Sequence, residues 1–158
     1  MYERIDFMKT CTCAGHREIP EEKLEYVTRE LRREIAQAIE DGITIFISGF
    51  SGQTDLLFAS IVAELKEKND TLFLEAALPY PKKSKPKDPL YSELIGKCSG
   101  VKTVSKEYSR DCYFLHIRYK VLESERVIAV YDGREEGGTF KAINVARVNE
   151  KDLRIIPL

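Results

Sequence analysis

The stretch that most constrains this chain runs from Val127 to Val148. Val127-Ile128-Ala129-Val130-Tyr131 is an unbroken apolar run and reads as a buried strand. Asp132-Gly133-Arg134-Glu135-Glu136-Gly137-Gly138 is a polar turn rich in glycine, and a small-residue helical pattern follows from Thr139 to Val148. Strand, glycine-rich turn and helix in that order form an arrangement that binds phosphate. Glycines let the backbone approach an anion, and the free N–H groups at the positive end of the helix hold it. Gly137, Gly138 and Thr139 are therefore the first phosphate-binding candidates, with Thr139 adding a hydroxyl. The competing account is a tight turn with an ordinary helix cap.

The same alternation recurs along the chain. Lys9 to Ala14 reads as a strand ending at Gly15, and Pro20-Glu21-Glu22 opens a helix with Leu24, Val27, Leu31, Ile35 and Ile39 on one face, stopped at Gly42. Ile43 to Ile47 is a buried strand running into the turn Ser48-Gly49-Phe50-Ser51-Gly52-Gln53-Thr54-Asp55, and a helix bearing Leu57, Ile61 and Leu65 follows. Thr71 to Leu78 is a third strand, followed by the basic run Lys82-Lys83-Ser84-Lys85-Pro86-Lys87, a solvated loop with a mobile lid as the alternative. Then come a helix over Pro89–Cys98, a short strand over Val101–Val104, a helix over Asp111–Ser124 with Tyr113, Ile117 and Val121 on one side, and a last strand at Leu153–Ile156.

This pattern predicts an α/β fold: a Rossmann-like three-layer sandwich, its sheet mainly parallel and its helices on both faces. The expected strand order is 3-2-1-4-5 with the last strand at an edge. One domain spans 1–158, since no repeat or linker divides the chain. Ligands of such sheets sit beyond the carboxyl ends of the strands where the order reverses. Three polar turns converge there: Gly15-His16-Arg17, Ser48 to Asp55, and Asp132 to Thr139.

With Lys and Arg numbering 25 against 26 acids, the net charge is −1. That balance gives no electrostatic reason to expect nucleic acid or an anionic membrane as partner. The N-terminus lacks a signal-peptide core, so a cytoplasmic protein is expected. Cys11 and Cys13 alternate on one strand and, with Cys98 and Cys112 distant, read as buried thiols rather than as metal ligands. No metal site and no catalytic residue is assigned.

Each remaining candidate has a plain alternative. Arg17 offers a guanidinium for phosphate, or a surface salt bridge. His16 could bond a ribose or base or serve as a general acid, or tie neighbouring loops. Ser48 and Gly49 open the second turn and could present backbone to a ligand. Asp55 could line the pocket, or cap its helix. Asp132 could accept from a ribose hydroxyl, while Asp before Gly133 is also ordinary turn chemistry. Arg118 could project into the cleft or pair on the surface. Tyr80 could stack on a base or pack at the core rim.

Several of these segments resemble the YpsA-like family of the SLOG superfamily. Ala14-Gly15-His16-Arg17 resembles its T-G-H-R, Ser48-Gly49 through Asp55 its S-G-G-A-x-G-x-D, and Leu78-Pro79-Tyr80 its L-P-Y. Tyr108 to Glu123, including Arg118, resembles Y-x-x-x-C…R-N-x-x-M-V-D, and Tyr131-Asp132-Gly133 with Gly137-Gly138-Thr139 resembles Y-D-G…G-G-T. The resemblance covers nearly the whole chain. It implies a Rossmann-like fold related to LOG and DprA/Smf proteins, and a nucleotide or ADP-ribose-like small-molecule ligand, bound or sensed. A homodimer through helix faces is an expectation of the class alone. The chain departs from the family at Phe50 and Gln53, where the family has glycine, at Gly52, where it does not, at Ser60, where it has an acid, and at Tyr119, where it has Asn. LOG phosphoribohydrolases carry G-G-x-G-T-x-x-E, whose Glu is catalytic, and Ala142 stands at that place here. The resemblance therefore argues against LOG-type hydrolysis and leaves open a binding domain, a related N-glycosidic-bond hydrolase or a protein-interaction module.

Overall fold

The computed structural model describes residues 9–81 and 88–158. The basic run at 82–87 and the N-terminal residues lie outside them. Six strands form the sheet: β1 (Lys9–Gly15), β2 (Ile43–Ser48), β3 (Phe73–Leu78), β4 (Gly100–Thr103), β5 (Arg126–Tyr131) and β6 (Asp152–Pro157). Five helices connect them: α1 (Leu24–Glu40), entered through a 3-10 turn at Glu21–Lys23, α2 (Gln53–Lys66), α3 (Pro89–Lys97), α4 (Cys112–Leu122) and α5 (Gly137–Val148).

All neighbouring strands are parallel, in the order β4-β3-β2-β1-β5-β6. The fold is the expected Rossmann-like α/β sandwich, with one difference. The short fourth strand does not insert beside β1. It extends the sheet past β3, and β5 takes the place beside β1. Burial explains the placement. β1 and β5 are almost wholly buried on both faces, as central parallel strands must be, whereas Val101 and Lys102 on β4 are exposed. A strand that cannot bury both faces belongs at an edge, where β6 also lies.

One face carries α1, α2 and α3. Val27, Leu31 and Ile35 of α1, Phe58, Ile61 and Val62 of α2, and Leu94 of α3 form one core with Cys11, Cys13, Phe46, Leu74 and Ile128. Both thiols of the Cys-x-Cys pair are fully buried there. On the other face, Val121 of α4 and Ala142 and Ala146 of α5 close on Ala14 and Val127. Small side chains let α5 sit close to the sheet. Asp88 caps α3, its carboxylate accepting from Leu90 N at 2.9 Å.

On α4 the buried stripe is Cys112, His116, Lys120 and Val121. The expected stripe of Tyr113, Ile117 and Val121 is rotated by about one residue, roughly 100°. Hydrophobic periodicity cannot flag this face, because two of its four members are polar. Among the described residues no helix is long and apolar enough to cross a membrane.

Candidate functional site

The strand order reverses at β1. The chain leaves β1 through α1 toward β2 on one side, and returns through α4 to β5 on the other. A cleft of about 780 Å³ opens at this point, beyond the carboxyl ends of β1 and β5. Its walls are the turn after β1, the turn before α2, the inner side of α4 and the start of α5.

His16 stands in the centre. Its Nε2 lies 3.2 Å from both the carboxylate Oδ1 and the backbone nitrogen of Asp132, and its Nδ1 is 3.5 Å from Thr139 Oγ1. Its ring stacks on Tyr131, centroids 6.2 Å apart, and its carbonyl accepts from Thr54 Oγ1 at 2.9 Å. Burial lowers the His16 pKa below its ordinary 6.5, against the opposing pull of Asp132. A neutral imidazole with Nδ1 protonated and Nε2 accepting from Asp132 N–H fits that shift. His16 thus ties the turn after β1 to the turn after β5.

Asp132 is pinned from the other side. Arg134 donates to both of its oxygens, and these bonds bring the Asp132 carboxyl down to about 2. Gly133 and Gly137 take positive φ values of 92° and 90°. This folds the turn back so that α5 begins over the cleft. No side chain caps α5 at Glu136. The first turn of α5 therefore presents Gly137, Gly138 and Thr139 to the cleft with the helix's positive end uncapped. A Cβ on Gly138 would stand 3.6 Å from Ile117 Cδ1, in ordinary contact with α4.

The second turn differs in that its polar groups bond within it and to β1 and the segment that follows β1. Ser48 Oγ donates to the Asp55 carbonyl at 2.8 Å, and Asp55 Oδ2 accepts from Ser51 N–H at 3.0 Å. Asp55 Oδ1 accepts from the Cys13 thiol, whose pKa burial and Asp55 together raise. Gln53 Oε1 accepts from Ile19 N–H at 2.7 Å, and Gln53 N donates to the Arg17 carbonyl at 2.8 Å. Phe50, where the resembled family has glycine, holds a φ of 51° and packs its buried ring edge-on against Tyr91. Gly52 is required sterically, since a Cβ there would meet Arg17 Cα at 2.5 Å.

The sequence candidates therefore divide. Gly15, His16, Arg17, Asp55, Gly137, Gly138 and Thr139 line the cleft. Ser48 and Gly49 lie behind it, Asp132 and Gly133 shape its rim, and Arg118 is exposed and outside its lining. Arg17 is exposed and makes no salt bridge among the described residues. Asp55 both braces the second turn and reaches the cleft. Ala142 is buried in the cleft wall where the hydrolases' Glu would stand.

Sequence reasoning missed His116 and Lys120 as cleft residues, along with Tyr113, Phe114, Arg134 and Lys141. His116 Nε2 donates to the Ala77 carbonyl at 2.6 Å. Lys120 is only 5% exposed, and no carboxylate lies within ion-pair distance of it among the described residues. The one available signal was the His116/Lys120 spacing of four, which places both on one helix face. Tyr80 packs edge-on against Tyr108 and Tyr113, with ring centroids 5.5 and 6.1 Å away, and so belongs to the rim.

The YspA SLOG family matches residues 16–155 of the chain. No curated protein matches it. Among solved structures, DNA processing protein A from Helicobacter pylori, described for its single-stranded DNA binding mode, aligns with a TM-score of 0.70 at 13% identity, covering 98% of this chain and 67% of that one. The structural-genomics target TM1055 aligns with a TM-score of 0.59 at 15% identity, covering 92% of this chain and 72% of that one. At such identities the likeness is one of fold. It nonetheless corrects the expectation that no nucleic acid is to be considered as a partner. A single-stranded DNA binder shares this fold, and a net charge of −1 does not report where the charges stand. Around this cleft Arg17, Lys120, Arg134 and Lys141 face Glu18, Asp55 and Glu136.

Proposed function

Because the chain belongs to the YspA SLOG family, we propose that its cleft binds a nucleotide or nucleotide derivative, with a phosphate at the start of α5. The observation that carries this reading is the uncapped terminus of Gly137-Gly138-Thr139, which opens into the cleft at the point where strand order reverses. Backbone N–H groups and the helix dipole supply the anion site. Arg17, Arg134 and Lys141 supply side-chain charge around it, and Gly15 lets Thr54 pack against the turn after β1, since a Cβ there would fall 2.3 Å from Thr54 Cγ2. His16 and Asp132 hold the two flanking turns at fixed separation, so the site is formed before the ligand arrives.

Thermal unfolding against a panel of nucleoside monophosphates, nucleoside diphosphates and ADP-ribose tests the reading. A ligand bound only by the native state at a hundredfold excess over its Kd adds about 2.7 kcal/mol. Thr139→Glu sets a carboxylate at the helix end and should abolish the shift. Lys141→Glu, on the exposed wall, should weaken it without disturbing the buried turn. A shift that survives both substitutions places the phosphate elsewhere.

A second reading is favoured by the exposed aromatic side chains at the rim. Tyr108, Tyr113 and Phe114 are 63%, 41% and 43% exposed beside the cleft. Aromatic faces next to an anion site suit stacked bases of a single strand, whose backbone phosphate would take the same helix end. Anisotropy of a labelled oligothymidylate should show binding that falls with salt and weakens in Tyr108→Ala. Absence of binding at low salt removes this reading.

A further inference from the structure

His16 is placed to do more than tie two turns. Its side chain is 10% exposed, and both ring nitrogens face groups at the cleft. With Nδ1 protonated, its N–H faces Thr139 Oγ1 across 3.5 Å, beyond the roughly 2.7–3.2 Å of an ordinary N–H···O bond. This donor is therefore only weakly held, and it lies at the helix end assigned above to phosphate.

Nε2 has two neighbours at one distance. The Asp132 N–H and the Asp132 carboxylate Oδ1 are each 3.2 Å away. They make opposite demands. A neutral Nε2 accepts from the N–H and faces the carboxylate lone pair to lone pair. A protonated Nε2 donates to the carboxylate and releases the N–H at the exposed rim. The ring thus has two bonded states in one position, and a single proton from solvent separates them.

The surrounding charges decide which state holds. Among the protein's own groups, burial weighs most and favours the neutral ring; Asp132 opposes it and Arg134 adds to it. Tyr131 covers one ring face. The other facing charges come in opposite pairs: Arg17 with Glu18 beside the ring, Lys141 with Glu136 at the start of α5, and Lys120 with Asp55 at the inner end, where His116 of α4 also lies. A dianion at the helix end is not balanced in this way. It brings negative charge close to the ring, favours the imidazolium and accepts from Nδ1–H directly.

We infer that His16 is a direct contact of the bound phosphate and that binding is proton-linked: Nδ1–H donates to the anion while Nε2 takes a proton from solvent and donates to Asp132. The inference rests on the phosphate site at α5 proposed above. It makes affinity for a dianion rise as pH falls. A histidine that only ties the turns predicts the reverse, since protonation breaks the Asp132 N–H bond.

The test uses inorganic sulfate, a dianion that does not titrate near neutrality. A phosphate monoester ionises a second time at about pH 6 and would add its own slope. Sulfate binding to the full chain is measured by NMR titration from about pH 7.5 to about pH 5.5, with the imidazole resonances followed in the same samples. The chain has two histidines, so His16→Asn assigns them. In the wild type, affinity should rise about tenfold over that range, and sulfate should raise the His16 pKa correspondingly, because the coupling is reciprocal. His16→Asn keeps a donor near the Nδ1 position without a titrating group and should bind sulfate with little dependence on pH. A wild-type affinity that is flat or falls in acid overturns the proton linkage and leaves the phosphate site standing. A rise that persists in His16→Asn does the same. Sulfate that binds at no pH overturns both.

Discussion

Two buried cations lie at opposite ends of this sheet, and the chain treats them differently. Arg126 opens β5 at the amino ends of the strands, with its side chain 8% exposed. Asp152 accepts from its Nε at 2.8 Å and Asp41 from its Nη2 at 2.9 Å, and Arg154 extends the network to Glu34. Lys120 reaches toward the carboxyl ends, where its Nζ converges on Gly49 with His116 and the Asp55 carboxylate but makes no direct ion pair among the described residues. A cation satisfied by its own chain is architecture. Even at the paired end, Arg126 Nη1 is buried without a hydrogen bond, so the network fixes position more than it maximises stability.

Substitution of the two cations should give the largest contrast. Arg126→Ala removes a packed side chain and its two carboxylate bonds and should cost about 3 kcal/mol in denaturant unfolding. Lys120→Met, in contrast, replaces a desolvated ammonium by an apolar group of similar shape. It leaves the buried Asp55 carboxylate without its nearby cation and should cost about 1–2 kcal/mol, less than Arg126→Ala because no direct ion pair is broken. A comparable loss in both variants would break the comparison, since it would assign Lys120 a structural partner.

The two glycine turns give a smaller contrast. In the closed second turn, Gly52→Ala drives a Cβ into the Arg17 backbone and should cost about 2 kcal/mol. In the open turn, Gly138→Ala meets only Ile117 at ordinary contact distance and should cost under about 1 kcal/mol. Its effect should appear instead as weaker binding of inorganic phosphate, because the added methyl sits where the backbone meets the anion. If Gly138→Ala destabilises as much as Gly52→Ala, the third turn is also closed.

Acid should separate the two ends more gently. The folded pKa of His16 lies below 6.5, so the unfolded chain takes up the proton first as pH falls. Stability should therefore decline from about pH 6.5 downward, and His16→Gln should flatten that slope. Arg154 and Arg126 depress Asp152, and Arg126 and Gln37 depress Asp41, below the ordinary 3.8. Their contribution is complete above that value and is lost only as pH falls through the lower folded values. Asp132, at about 2, joins this acid phase although it stands at the cleft end. Unfolding midpoints at neutral, mildly acidic and strongly acidic pH resolve the two phases.

Much of this molecule follows from local pattern. Continuous apolar runs such as Val127–Tyr131 and Ile43–Ile47 can only be doubly covered strands, and the Val27, Leu31, Ile35 spacing can only be a helix laid on a sheet. Turns that follow such strands must lie at their carboxyl ends, so the cleft's place, and its Gly137-Gly138-Thr139 terminus, could be read from the sequence. What the sequence could not fix was everything that depends on which elements become neighbours. The β4 strand moved to an edge because both its faces could not be buried, and no local pattern encodes an edge. Ser48, Gln53 and Asp55 look as available as Thr139 in one dimension, but in the fold they bond to Phe50, Ile19, Arg17, Ser51 and Cys13, and those bonds close the turn. Lys120 reads as one more surface charge until α4 is rotated onto the sheet. Hydrophobic periodicity reports only which face is apolar, and a polar side chain buried for its chemistry carries no such signal. Whether a charge is paired or solvated is a property of three-dimensional neighbours, and here only the tertiary structure decided it.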